Sequence, residues 1–128
     1  KLYSAAFYRL LEKHLAAGGL SVIQSTSPLY ARQSFWCIVN TLASVGLVVT
    51  PYHALVPSFG EWGFVLAGRR AYKPPLVYGV DTHFLTPETT PTLFQFPKDM
   101  ARVDAEVNRL NNQVLVRYFE DEWRQVIR

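Results

Sequence analysis

Apolar residues recur at helical spacing in Phe7, Leu10, Leu11 and Leu15, behind Ser4 and ahead of Gly18-Gly19. A serine can accept from the free amides of a first turn and glycine tolerates the left-handed backbone that ends a helix, so a helix is predicted between those two signals. Leu20-Ser21-Val22-Ile23-Gln24-Ser25 then reads as a short buried strand, and Ser27-Pro28 as a cap followed by proline at the first helical position. A second helix is predicted from about Pro28 to Val45, with Phe35, Ile38, Val39 and Leu42 toward the core and Gly46 at its end. Leu47 to Leu55 is strand-like, Pro51 marking an edge or a bend, and Trp62 to Ala67 returns as another strand.

From Arg69 to about Pro97 the pattern changes, because Pro74-Pro75, Pro87, Pro91 and Pro97 punctuate it and leave room for only a short helical turn after Thr86. That stretch is expected to wrap the sheet. Val107, Leu110, Val114, Leu115, Tyr118 and Phe119 share one face of a helical tail running from Asp104 to Val126, with Asn111-Asn112 as a potential break. Helix, strand, helix, strand, hairpin and strand in that order predict one right-handed crossover and one antiparallel strand, the end of an open, mixed α/β sheet.

The chain has 128 residues, 49% of them hydrophobic and 14% aromatic, which excludes disorder and is enough to bury a core. Its +3 formal charge is spread out, Arg69-Arg70 being the only adjacent basic pair, so no nucleic-acid stripe and no polybasic membrane patch is predicted. The longest apolar run, Phe35 to Val49, is interrupted by Asn40, Thr41, Ser44 and Gly46, and no membrane contact is expected of this segment. Cys37 is alone in an apolar helical run, which excludes an intrachain disulfide, and His14, His53 and His83 are too scattered to suggest a metal site. With Lys1-Leu2-Tyr3-Ser4 leading straight into helix and no initial Met, the chain reads as a piece of a longer protein.

Candidate chemistry gathers at two places. Val56-Pro57-Ser58-Phe59-Gly60-Glu61-Trp62-Gly63-Phe64 reads as a connector longer than the usual two to five residues of a hairpin, presenting Phe59, Glu61 and Trp62. A carboxylate between aromatic faces suits an organic cation; equally, Phe59 and Trp62 could plug the end of the core while Glu61 points to water. Gln24 ends a strand just before a helix, where open α/β sheets bind ligands, although Gln24, Ser25, Thr26 and Ser27 could instead satisfy helix amides. The two places are predicted to meet at one end of the sheet. His53, beside Tyr52, reads as a hydrogen-bonded core or rim histidine, and Ser58 has no adjacent histidine, so no nucleophile and base pair is evident.

Leu2-Tyr3-Ser4, Phe7-Tyr8, Gly18-Gly19, Gln24-Ser25 and above all the stretch from Val56 to Phe64 resemble the carboxyl-terminal half of the spermidine synthase (polyamine aminopropyltransferase) family, in its bacterial spermidine synthase-like group. The motifs cover roughly residues 1–70, and Phe84-Leu85-Thr86-Pro87 and Phe94-Gln95-Phe96-Pro97 are similar to the family's carboxyl-terminal region. The resemblance implies a Rossmann-like, class I methyltransferase-type sheet over residues 1–70 and a wrapping segment with helices over residues 71–128. It further implies a parent enzyme that transfers an aminopropyl group from decarboxylated S-adenosylmethionine to a diamine such as putrescine. The glycine-rich loop for the nucleoside co-substrate and the proton-accepting aspartate of the family would lie upstream, so this chain is expected to bind no cofactor and to be inactive alone.

By position, Gln24 matches a glutamine of the family's amine pocket, and Phe59 stands where many members have a substrate-contacting tyrosine; Glu61 and Trp62 complete the expected substrate-binding set. The missing hydroxyl at Phe59 leaves the acceptor open. A methyltransferase of the same fold, or a binding module that has lost the reaction, would fit the same residues. The expected location is cytoplasmic, with any membrane anchor of the parent outside this chain. In the related sheet the strand at Leu20 lies between two others, so this chain by itself is expected to form a homo-oligomer through that edge, an adjacent apolar face or an exchanged tail helix.

Overall fold

A computed structural model describes residues 1–127. Helix α1 (Ala5–His14) starts where Ser4 Oγ accepts from Phe7 N, as the cap pattern predicts. Its docked face is rotated from the expected one: Ala5 and Tyr8 are buried and Leu11 and Leu15 pack on the core, whereas Phe7 and Leu10 are exposed. Tyr8 decides the rotation, because its ring is the largest side chain the helix can bury. Arg69 closes the other end of α1, donating to the carbonyls of Glu12 and Leu15 and pairing with the Glu12 carboxylate. Half of the basic pair expected on solvated surface thus ties α1 to the sheet.

Strand β1 (Leu20–Gln24) alternates between exposed and half-buried residues, with Leu20 and Val22 open on one face and Ile23 packed on the core. It is a half-covered edge strand, not the buried one expected. Ser27 Oγ accepts from Leu29 N and Tyr30 N, and a single turn closed by Ala31 N on Ser27 O precedes α2 (Arg32–Ser44). Ser27 therefore caps that turn, and the regular helix begins later than Pro28. Phe35, Ile38, Val39 and Leu42 are buried as expected, joined by Trp36 and Cys37.

Strands β2 (Val48–Val56) and β3 (Gly60–Gly68) form a hairpin, and β3 lies between β2 and β1. Both pairings are antiparallel, with Val22 opposite Leu66 and His53 opposite Gly63. Strands β1 and β2 thus run the same way, as a crossover through α2 requires, but β3 separates them, so among the described residues the sheet has no adjacent parallel pair. Val65 and Ala67 of β3 meet Phe35, Val39 and Leu42 in the core. Gly63 is required there: a Cβ would stand 2.5 Å from the Phe35 ring and 2.8 Å from Thr26 O.

The connector is shorter than predicted. Only Pro57, Ser58 and Phe59 leave the strands; Phe59 N bonds to Val56 O, and Ser58 (φ 72°) and Gly60 (φ 81°) take the left-handed backbone of a tight turn. Glu61 and Trp62 therefore belong to β3 and point to opposite faces.

Residues 69–89 contain no helix or strand, and a 3-10 turn (Thr90–Phe94) packs on β2, so this stretch wraps the sheet as expected. The tail differs from its prediction. Residues 102–109 are extended or irregular, and α3 spans only Val114–Ile127. The strap before α3 is read through its backbone: Arg32 donates to Lys98 O and Ala101 O, Trp36 to Met100 O, Gln33 to Asp104 O and Asn40 to Ala105 O. Asn108 then joins three elements, donating to Tyr3 O and Thr41 Oγ1 while accepting from Ala5 N and Leu115 N. Helix α3 returns to the start of α2, whose preceding Ala31 offers no side-chain cap. There Glu122 accepts from Gln33 N (2.7 Å), Ser34 N (2.9 Å) and Ser34 Oγ (2.6 Å). No helix among the described residues is long and apolar enough to cross a membrane.

Candidate functional site

At the end of the sheet where β1 stops and β3 starts, a cavity of about 340 Å³ is lined by residues of both strands and helices. Gln24 and Thr26 line it from β1 and the turn after it, Trp62 from β3 and Tyr3 from the segment before α1. Ile38 forms the α2 side, and Leu115 and Phe119, one turn apart on α3, form the far wall. Antiparallel pairing explains the meeting of Gln24 and Trp62: Gln24 stands opposite Phe64, two residues from Trp62, and Ser25 N and Gly63 N continue the contact with Gly63 O and Thr26 O. Tyr3 is held over the strand end by a hydrogen bond from its hydroxyl to Gln24 O (3.0 Å).

Two polar groups in this wall have no hydrogen-bond partner. Trp62 Nε1 and Thr26 Oγ1 are both buried and unpaired. Thr26 also has φ 59°, a left-handed conformation that a β-branched side chain rarely takes and that costs about 1–2 kcal/mol. Buried groups left unpaired and strained backbone both gather where ligands bind. The wall carries no ionisable side chain except the Tyr3 phenol.

Of the four residues predicted to bind substrate, Gln24 and Trp62 share the cavity. Phe59 sits at the turn tip, 61% exposed, its ring edge-on to Trp62 at 5.5 Å between centroids. Glu61 lies on the other face of β3, where its Oε2 is 2.9 Å from His53 Nδ1, and His53 Nε2 is 2.5 Å from Gln95 O. The His53 ring also packs on Phe96, which stacks against Phe35 and Trp36. The carboxylate is thus turned toward the wrapping segment by a histidine that the sequence reading takes as a core or rim residue.

Sequence reasoning missed Tyr3, Thr26, Leu115 and Phe119. Leu115 and Phe119 carry a signal, their shared helical face, but nothing local says which partner that face meets; Thr26 carries none, because side-chain type argues against its backbone conformation. Cys37 is buried, and burial pushes its thiol up to about 11. Among the described residues no group of three metal-ligating side chains comes together.

A small cavity enclosed by a strand end, the turn that follows and a returning hairpin lies where α/β layers commonly hold small molecules. The model of the spermine/spermidine synthase domain matches residues 1–73, and the chain belongs to that family. It is 57% identical over its whole length to polyamine aminopropyltransferase 2 of Ralstonia nicotianae, of which it covers 26%. It is 47% identical over 99% of its length to the polyamine aminopropyltransferase of Leptospira interrogans, again covering 26% of that protein. The chain therefore spans about a quarter of the length of these relatives. Among solved structures, the spermidine synthase from Thermotoga maritima superposes with a TM-score of 0.64 over 77% of this chain and 38% of its own, at 18% identity, which shows the shared fold.

Proposed function

We propose that this chain supplies the acceptor-side wall of an aminopropyltransferase whose nucleoside-binding loop and proton-accepting carboxylate lie in the rest of the parent protein. The parent would move an aminopropyl group from decarboxylated S-adenosylmethionine to an amine such as putrescine. The observation that carries the reading is the convergence of Gln24 and Trp62, far apart in sequence, on one cavity at the strand end. Gln24 can accept from a protonated amine through its amide oxygen. The rings of Trp62, Tyr3 and Phe59 offer faces that attract an ammonium group. An amine must lose a proton before it attacks carbon, so these residues bind and orient, while the proton goes to a base outside this chain. Glu61, engaged by His53, would serve by holding Gln95 and the wrapping segment against the sheet.

In the intact parent, Gln24→Ala should raise the acceptor KM about tenfold or more, the cost of one hydrogen bond to a charged group. Trp62→Ala should also raise it, and both should leave the KM of the nucleoside co-substrate unchanged. Equal losses for the two substrates would show that the residues act only through the fold. The purified chain of 128 residues should show no turnover; activity there would overturn the assignment of the base to the missing part. The outer edge of β1, with Leu20 and Val22 about half exposed beside it, supports self-association of the isolated chain. Sedimentation as a monomer at micromolar concentration would refute that.

A further inference from the structure

The proposed acceptor site has a wall that lies beyond the residues the family model matches. The domain match ends at residue 73, yet Leu115 and Phe119, both on α3, close the far side of the cavity that begins at Gln24 and Trp62. We infer that α3 is a gauge of acceptor length: the methylene run of the amine extends from Gln24 toward Leu115 and Phe119, and the distance from Gln24 to those two side chains selects how long that run can be. This rests on the acceptor-site reading above.

A gauge must be fixed, apolar and placed across from the polar end. Helix α3 is fixed at two places, its start and Glu122. Leu115 N at its start bonds to Asn108 Oδ1 and Val114 N to Asn112 Oδ1, while Glu122, two turns on, is held by the first-turn amides of α2. The helix therefore cannot slide along α2 without breaking contacts at both places. The wall is apolar: Leu115 and Phe119 present only hydrocarbon to the cavity, and no carboxylate lines it. A second ammonium pressed against that wall would lose water with nothing to replace it. The polar groups stand across from it, where Gln24, Thr26 Oγ1 and the Tyr3 and Trp62 rings can hold a charged amine. A chain too short leaves the wall uncovered, and a chain too long must push its second ammonium into Leu115 and Phe119.

The test compares straight-chain diamines of four, five and six carbons on the intact parent, reading kcat/KM for each. Discrimination of a buried methylene is about fourfold, so Phe119→Ala should shift the preference by one or two carbons toward the longer diamines, changing the six-to-four ratio about tenfold. Leu115→Phe should move the ratio the opposite way, which protects the test against a Phe119 variant that is merely less stable. Val116→Ala, at a position 51% exposed on the same helix and outside the cavity lining, should leave the ratio unchanged. Equal falls for all three diamines, or ratios that stay fixed in both Phe119→Ala and Leu115→Phe, would overturn the gauge while leaving the acceptor-site reading intact. A wild-type parent that uses no diamine at all would overturn both.

Discussion

Replacing Glu122 by alanine should destabilise the protein through a helix that Glu122 does not belong to. Helix α2 begins without a side-chain cap at Ala31 and without an acidic residue in its first turn, so its leading amides depend on a group brought from α3. Glu122 supplies that group through two backbone amides and the hydroxyl of Ser34, which is fully buried. A cap is worth about 1 kcal/mol, and a hydrogen bond to a charged group contributes about 1.5–3 kcal/mol. Since Glu122 is itself half-buried, the lower end applies, and the loss should be about 2–3 kcal/mol. Glu122→Gln keeps one acceptor oxygen and should lose about half as much. Denaturant midpoints measure the total, and hydrogen exchange at the Gln33 and Ser34 amides locates it. A loss under about 0.5 kcal/mol with unchanged exchange at those two amides would refute the cap.

Thr26→Gly should raise stability by up to about 1 kcal/mol, the relief of left-handed strain less the entropy glycine adds, while raising the acceptor KM; a lower denaturation midpoint would contradict the strain. Gly63→Ala should cost about 1–3 kcal/mol by overpacking against Phe35 and Thr26 O, and an unchanged melting temperature would count against the contact. Burial raises the Cys37 thiol from 9.0 to about 11, so its contribution to stability is whole below pH 9 and is lost as pH rises toward 11. The chain should accordingly resist thiol alkylation at neutral pH until unfolded, and Cys37→Ala should flatten the alkaline fall in stability; rapid alkylation of the folded protein would contradict this.

Element order was legible because short-range signals decide it: Ser4 does cap α1, the prolines do keep residues 69–89 out of regular structure, and Gln24 does end a strand opposite the returning hairpin. The failures share a cause. Val107 and Leu110 have helical spacing, but Asn108 and Asn112 bond with backbone groups around them and with neighbouring elements, which competes with helix formation there. Phe7 and Leu10 lie on a convincing apolar stripe, yet Tyr8 took the core. Gly60-Glu61-Trp62-Gly63 has the composition of a loop and is strand, because β2 pairs with it from Val56 opposite Gly60 to His53 opposite Gly63 and composition does not record neighbours. The division of the predicted site follows from that: once Glu61 and Trp62 are in a strand, alternation must separate them.

At Lys98, Met100, Ala101, Asp104 and Ala105 the strap shows carbonyl oxygens to the side chains of α2 that grip it, while its own Arg102 donates to Asn40 Oδ1 and lies over the Trp36 ring. Much of its fit is thus encoded elsewhere, in Arg32, Gln33, Trp36 and Asn40, and the strap's own letters at Lys98, Ala101, Asp104 and Ala105 carry little of the message. Under random mutation the two should drift at different speeds: the helix residues pinned together with the strap's buried Met100, core-packed Val103 and Arg102, and the strap's Lys98, Ala101, Asp104 and Ala105 free to exchange side chains so long as its path is kept. A library of variants scored for folding would read that asymmetry directly, and it makes those four strap positions the place where new surface chemistry could be written into this protein without disturbing how the tail is held.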